Sequence, residues 1–430
     1  MKPAVSRLVT GVLASPARRD AVRAATGLRR RLSGAKPAVD YFHQVDDPYS
    51  HLMAQLFGPL AKRYGLTLRV WLVPPPDDAA APERARLAAF ARRDAARVAA
   101  EYGLDFPETA GAPAADAVAL AQRILAAAPR TAAFGDKAVA VGDALWRGDT
   151  GALSALAAAA ASPEAAAAAV AEGGAERLRL GHYLGGMLHF EGEWYWGVDR
   201  LNHLEERLAG LGRDSTPGAP MLAPFRDMRL TAPKPKTPAT IEMWFSFRSP
   251  YSWLAFPRAQ RLAEHFGAKL ELRYILPMVM RGLPVPRIKS RYIFLDAKRE
   301  ADRVDLPFGR VVDPVGAGAE RALAVLHHAA PLGLGESFAM LGLRAAWADG
   351  IALAEDEGLF DVARRAGLTD DQTRAALADE SWRVAAEANR EALFEAGLWG
   401  APTYRVNGGA AHWGQDRLWA LEEDLIRASA

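Results

Sequence analysis

The hydrophobic positions follow the same plan twice along the chain. A short apolar run at residues 38–45 leads through a turn into a segment of helical spacing, and a second apolar run follows at 66–73. The same order returns at 241–247 and 269–276. Short apolar runs bounded by turns are typical of strands, and longer segments with apolar residues three or four positions apart are typical of helices. Each half is therefore predicted to open with a strand–helix–strand unit.

The two halves also end alike. Trp-Gly-Val-Asp-Arg-Leu at 196–201 matches Trp-Gly-Gln-Asp-Arg-Leu at 413–418, and each motif follows a hairpin-like segment and leads into a closing helix. Alanine-rich regions of helical pattern fill the middle of each half, roughly at 80–180 and 297–396. Strand–helix–strand units with right-handed crossovers imply a small mixed sheet packed by helices. The predicted fold class is therefore α/β, with two tandem domains that each carry a helical insertion.

Two other segments divide the chain. Residues 213–239 contain six prolines, a density that resists helix and sheet and predicts an extended linker between domains at 38–212 and 240–430. Residues 1–37 form a basic arm, in which residues 1–36 carry nine Lys or Arg and one Asp, a net charge of +8. Apolar residues recur there at helical spacing before Pro16, namely Val5, Leu8, Val9, Val12 and Leu13. We expect a peripheral helix outside both cores, with attachment to a membrane surface or a targeting peptide as alternatives.

Composition excludes several classes of protein. The 430 residues include no cysteine, which rules out disulfides, thiolate metal sites and a disulfide oxidoreductase that works through its own sulfur. No apolar run approaches the ~18 residues of a membrane span. A secretory signal fits poorly, so a cytoplasmic protein is expected. Beyond the arm the net charge is −6, which disfavours a nucleic-acid binder, and no motif predicts a bound metal.

The second half carries four more specific motifs. Phe-Ser-Phe-Arg-Ser-Pro-Tyr-Ser-Trp-Leu-Ala at 245–255 resembles the opening of the 2-hydroxychromene-2-carboxylate isomerases and the kappa-class glutathione transferases, in the DsbA-like thioredoxin superfamily. Lys-Ser-Arg-Tyr-Ile-Phe-Leu-Asp at 289–296, Gly-Ala-Pro-Thr-Tyr at 400–404 and the motif at 413–418 are similar to later segments of that family. The resemblance implies two thioredoxin-like domains and glutathione as a thiol cosubstrate.

The resemblance also places Ser249 against the sulfur of glutathione, as the candidate catalytic residue. Ser249 precedes Pro250 at the predicted start of a helix, where backbone N–H groups and the helix dipole favour an anion such as a thiolate. Serine at this position is also a common N-cap, and the two roles are compatible.

Six further residues are candidates for binding glutathione or a substrate. The resemblance implies a cis bond between Ala401 and Pro402, which would let the Ala401 backbone pair with a peptide ligand, and an ordinary trans turn proline is the alternative. Asp416 could accept from the ammonium of a γ-glutamyl group, and Gln415 could hold its carboxylate, although Asp416 could equally cap the last helix. Lys289 and Arg248 could bind carboxylates or be solvated.

The first half keeps the outline but loses the motif residues. Asp47 stands where the second half has Ser249, and Gly186 stands where it has Pro402. We therefore expect a degenerate domain that binds no glutathione and covers an apolar face of the second half. A pseudo-dimer of the two halves and a homodimer both remain open.

These observations favour a glutathione-dependent isomerase that acts on an unsaturated aromatic or related electrophilic carboxylate. Two alternatives stay open, namely a glutathione transferase of kappa-like type and a non-catalytic thioredoxin-like binding module.

Overall fold

The computed structural model describes residues 2–108, 111–230 and 238–429. The chain divides into two compact units, one of residues 22–226 and one that combines the residues up to 21 with those from 227 onward. The first 32 residues hold two helices, α1 (Pro3–Leu13) and α2 (Pro16–Leu32). They are separated at Pro16, where the missing proline N–H suits the first turn of a helix.

The N-terminal unit is built on one four-stranded sheet. Its strands are β1 (Ala38–His43), β2 (Thr67–Leu72), β3 (Met187–Phe190) and β4 (Glu193–Trp196). Its helices are α3 (Pro48–Tyr64), α4 (Arg84–Tyr102), α5 (Ala115–Ala126), α6 (Phe134–Trp146), α7 (Thr150–Ala155), α8 (Pro163–Leu180) and α9 (Leu201–Gly210). The strand order is β2-β1-β3-β4, with β1 parallel to β2 and antiparallel to β3.

The C-terminal unit has a sheet of the same design. Its strands are β5 (Thr240–Phe245), β6 (Lys269–Tyr274), β7 (Thr403–Val406) and β8 (His412–Trp413). Its remaining helices are α10 (Pro250–Phe266), α11 (Arg287–Arg303), α12 (Ala317–Ala329), α13 (Gly335–Arg344), α14 (Asp356–Arg365), α15 (Asp370–Ala378), α16 (Trp382–Glu395) and α17 (Leu418–Ser429). The order is β6-β5-β7-β8, again with one parallel and two antiparallel pairs. The predicted α/β class and the plan of each half are confirmed.

Each central strand is buried on both faces. In β5 the apolar side chains of Ile241, Met243 and Phe245 are inaccessible to solvent, and Glu242 points the other way. Burial alone would raise the pKa of Glu242, but hydrogen bonds and charge from Arg405 and Arg273 lower it. A buried carboxylate is tolerated because two arginines satisfy it.

None of the described residues of the basic arm joins either hydrophobic core cluster, although Ser6 and Ala14 are buried. Small polar residues attach α1 to the C-terminal unit. The Ser6 hydroxyl donates to the carbonyl of Val311 at 2.9 Å, and Thr10 accepts from the N–H of Val311 at 2.9 Å. The arm is divided between the two units, because residues up to 21 belong to the C-terminal unit and residues 22–37 belong to the N-terminal unit.

The predicted linker contains no helix or strand in its described part, whereas residues 231–237, with Pro233 and Pro235, lie outside the described residues. Its first part is anchored rather than extended into solvent. Asp214 accepts from Arg63 at 2.9 Å, and Glu205 accepts from the N–H groups of Leu222 and Ala223 at 2.9 and 3.0 Å. These bonds explain why residues 213–226 belong to the N-terminal unit.

Within the described ranges, no single helix has the length and apolar composition needed to cross a bilayer. One pair of segments, Thr150–Ala159 and Pro163–Leu180, meets those two criteria together, but it is bent by 91°.

Candidate active site

Ser249 lies where β5 ends and α10 begins. Its hydroxyl oxygen accepts from the N–H of Ser252 at 3.1 Å, which makes it the N-cap of a 17-residue helix. The same hydroxyl donates its hydrogen to the carbonyl oxygen of Ala401 at 2.9 Å. The side chain is half-buried. The expected cap is therefore present, and the same side chain also contacts the loop at Ala401.

The loop that faces Ser249 contains the Ala401–Pro402 bond, which is cis. Gly400 precedes it, and a Cβ atom at that position would lie 2.2 Å from the ring of Trp413. Only glycine fits there, because real Cβ atoms do not approach other atoms so closely. The carbonyl of Pro402 accepts from the N–H of Gly414 at 3.0 Å, so the loop is held against the residues that follow β8.

Gln415 has a different role from the one predicted. Its Oε1 accepts from Nη1 of Arg258 at 2.7 Å, and its Nε2 donates to Glu300 at 2.7 Å. All three side chains are buried. Since both ends of the amide are bound inside the unit, Gln415 joins α10 to α11 and does not present its side chain to a ligand. Its neighbour Asp416 is partly exposed and lies 3.6 Å from Nη1 of Arg417.

Of the two basic candidates, Arg248 is already engaged. It makes a two-pronged ion pair with Asp313, with N–O distances of 2.8 and 2.9 Å, which differs from the expected ligand contact. Lys289 lies half-buried in the first turn of α11. Burial lowers the pKa of Lys289 to about 8, because a desolvated ammonium is less stable than a solvated one. It therefore remains largely charged at neutral pH.

Two residues beside this site escaped the sequence-based prediction. The Tyr251 hydroxyl donates to the buried carboxylate of Asp296 at 2.8 Å and so connects α10 to α11. The N-terminal unit contains the same bond between Tyr49 and Asp94, at 2.7 Å. In both units the partners lie 45 positions apart. This repeated spacing is the signal that would have identified them.

The N-terminal unit places Asp47 where the C-terminal unit has Ser249. Asp47 caps α3, and its Oδ2 accepts from the N–H and the hydroxyl of Ser50 at 2.9 and 2.7 Å. Burial raises the pKa of Asp47 to about 6, although the bonds from Ser50 oppose that shift. Gly186 faces it in a left-handed conformation, with φ of 62°, in place of a proline. At neutral pH this position carries a negative charge where the other unit has a hydroxyl.

Comparison with known families agrees with the geometry of the C-terminal unit. The family model of the DsbA-like thioredoxin domain matches residues 240–426. This segment is a DsbA-like thioredoxin domain. Among curated proteins, the 2-hydroxychromene-2-carboxylate isomerase of Pseudomonas sp. (strain C18) is 22% identical over 191 residues, which cover 42% of this chain and 88% of the relative.

Two solved structures resemble part of the chain. A 2-hydroxychromene-2-carboxylate isomerase has a TM-score of 0.38 and 23% identity, with 44% of this chain and 95% of that chain covered. The cytosolic disulfide reductase DsbM from Pseudomonas aeruginosa has a TM-score of 0.34 and 19% identity, with 44% and 96% covered. A common duplicated origin of the two units remains a prediction.

Proposed function

We propose that the chain is a cytoplasmic, glutathione-dependent isomerase that acts on an unsaturated aromatic or related electrophilic carboxylate. The observation that carries this proposal is the position of the Ser249 hydroxyl, at the N-terminus of α10 and against Ala401, in a chain without cysteine. A thiol–disulfide enzyme needs a sulfur of its own. Here the sulfur would come from a bound thiol, and the similarity to a curated isomerase supports this choice of reaction.

The helix start at Ser249 and two of the candidate binding residues suit an anionic peptide thiol. The first turn of α10 provides the positive end of a helix dipole. In this proposal the half-buried Lys289 binds a carboxylate of glutathione, and the partly exposed Asp416 binds its ammonium group. Gln415 and Arg248 are assigned no ligand contact, because both are bound within the unit.

Bound glutathione would supply a nucleophilic sulfur that adds reversibly to a conjugated double bond, so that the bond can rotate before the sulfur leaves. The role of Ser249 is to donate a hydrogen bond to that sulfur. Rotation about the Cβ–Oγ bond redirects the hydrogen from Ala401 while the N–H of Ser252 keeps the oxygen in place. A hydrogen bond to a charged group contributes ~1.5–3 kcal/mol, equivalent to about one or two units of thiol pKa.

The decisive experiment measures glutathione binding by calorimetry at millimolar ligand, followed by isomerisation of 2-hydroxychromene-2-carboxylate with and without glutathione. We expect binding and glutathione-dependent isomerisation. Conjugation of a general aromatic electrophile without isomerisation would assign the site to a transferase instead. Absence of glutathione binding would contradict both enzymes and leave a thioredoxin-like binding module.

A further inference from the structure

The C-terminal unit contains a small cavity. Its volume is about 130 Å³, similar to the ~150 Å³ of an engineered cavity that binds benzene. The lining consists of Leu276, Arg281, Arg383, Ala386, Glu387 and Arg390. Three arginines and one glutamate give these walls a formal charge of +2. Such a cavity is suited to a small anion rather than to an apolar group.

Arg281 lines this cavity and has buried hydrogen-bond donors without a partner in the described part of the chain. Its Nη2 donates to the carbonyl of Trp399 at 2.8 Å, but its Nε and Nη1 are buried and have no hydrogen-bond partner among the described residues. Glu387 does not fill this need, since its carboxylate accepts from Arg390 at 2.8 and 2.5 Å. A buried guanidinium without partners for its N–H groups is unfavourable, and an oxyanion would satisfy them.

We propose that this cavity is a carboxylate-binding subsite in which Arg281 is the principal hydrogen-bond donor. Arg281 binds the carbonyl of Trp399, and Ser249 binds the carbonyl of Ala401 in the same loop. Cα atoms two residues apart are separated by at most about 7 Å. Arg281 and Ser249 therefore bind neighbouring positions of one loop. The inference that a carboxylate bound here belongs to the substrate rests on the proposed function. The inference that the cavity binds an anion does not.

The test uses the full chain without glutathione and titrates it with sodium pyruvate, sodium acetate and sodium sulfate at constant ionic strength. We expect saturable binding of the two carboxylates by calorimetry, weaker binding of sulfate, and at least a tenfold loss of carboxylate affinity in Arg281→Gln. Arg281→Lys keeps the charge and should lose affinity less. Arg374→Gln, which removes an exposed arginine outside the cavity, should bind like the wild type.

Three results would overturn the subsite: no saturable binding of carboxylate, tighter binding of sulfate, or unchanged affinity in Arg281→Gln. Glutathione titration of the same proteins separates this inference from the proposed function. Carboxylate binding without glutathione binding would support the subsite and contradict the proposed isomerase. Glutathione binding without carboxylate binding would contradict the subsite and leave the proposed isomerase supported.

A second and independent observation concerns α1. Ser6 and Thr10 face the C-terminal unit, whereas five large apolar residues of this 11-residue helix are exposed. They are Val5, Leu8, Val9, Val12 and Leu13. Of the fifteen exposed large apolar side chains in the described part of the chain, eight lie between residues 5 and 32. Exposed apolar clusters of this kind are typical of interaction surfaces, and this surface of α1 is called here the α1 apolar face.

Charge indicates what covers the α1 apolar face. The charged residues between positions 2 and 13 are Lys2 and Arg7, both basic, so a second copy would bring the same positive charge against it. We propose that α1 attaches the protein to an anionic lipid surface. With 11 residues at ~1.5 Å each the helix is too short to span a bilayer, so it would lie in the interface, where apolar burial and basic residues act together.

Co-sedimentation of the full chain with phosphatidylcholine vesicles, with and without phosphatidylserine, tests this attachment. We expect binding to the anionic vesicles only, weakened by salt, and at least a tenfold loss in the double variant Leu8→Gln, Val12→Gln. The matched control, Leu332→Gln with Val384→Gln, changes side chains that are 46% and 75% exposed elsewhere and should bind normally.

Absence of binding to anionic vesicles, or equal binding by the Leu8/Val12 variant, would overturn this second inference. Sedimentation velocity provides the other arm. A dimer that the Leu8/Val12 variant dissociates would assign the α1 apolar face to a second copy of the chain.

Discussion

Ser249 combines a structural and a chemical role in one hydroxyl. We predict that Ser249→Ala lowers isomerase activity by roughly ten- to a hundred-fold, since it removes a bond of ~1.5–3 kcal/mol to a charged sulfur. Loss of the cap should also reduce stability by about 1 kcal/mol. Turnover and the pKa of bound thiol, measured by ultraviolet absorbance of the thiolate, check the first effect.

Ser249→Asp separates the two roles, because Asp47 shows that aspartate can cap the corresponding helix in this protein. This variant should stay folded with its helix cap in place and lose activity, since an ionised carboxylate repels a thiolate. Full activity in a folded Ser249→Asp protein would contradict the proposed contact with sulfur.

Asp47 itself should make stability depend on pH. Its pKa is raised to about 6 in the folded state, so the unfolded chain loses this proton at lower pH than the folded chain does. Stability is therefore lost as pH rises from about 4 to 6, by on the order of 2–3 kcal/mol. Asp47→Asn keeps a capping side chain and should be more stable than the wild type at pH 7, with the difference vanishing near pH 4. Urea unfolding across this range is the measurement, and a pH-independent difference would be inconsistent with it.

At the level of elements, the tyrosine–aspartate bond holds the first two helices of each domain together. Tyr251→Phe removes the bond to Asp296 and should cost about 1–3 kcal/mol, because the carboxylate is buried. Since α11 also carries Lys289, we expect weaker glutathione binding.

Tyr49→Phe is the matched control, which removes the bond to Asp94. It should destabilise the N-terminal unit to a similar extent and leave glutathione affinity unchanged, as followed by calorimetry. Equal loss of affinity in both variants would argue against a local effect.

For the whole molecule, the differences between the two capping positions predict one glutathione per chain. Asp47 places a negative charge at the N-terminal position, and Gly186 replaces the proline opposite it. Calorimetric titration of the full chain should give a stoichiometry of one glutathione per chain. The affinity for glutathione should be weakened by Ser249→Asp and unchanged by Asp47→Asn. Two equivalent sites, or one site that responds only to Asp47, would reverse the assignment of the active half.

The sequence alone determined the order of elements and the strand–helix–strand opening of each half, because local spacing and turn chemistry encode them, whereas the cis bond before Pro402 was implied by the family resemblance. It also indicated Ser249, whose cap partner lies only three residues away. Tertiary structure decided which polar side chains remain available. Gln415 is bound by Arg258 and Glu300, which lie 157 and 115 positions away, and Arg281 meets its cavity only when α16 packs beside it. Such contacts depend on packing between distant segments, and no local pattern records them.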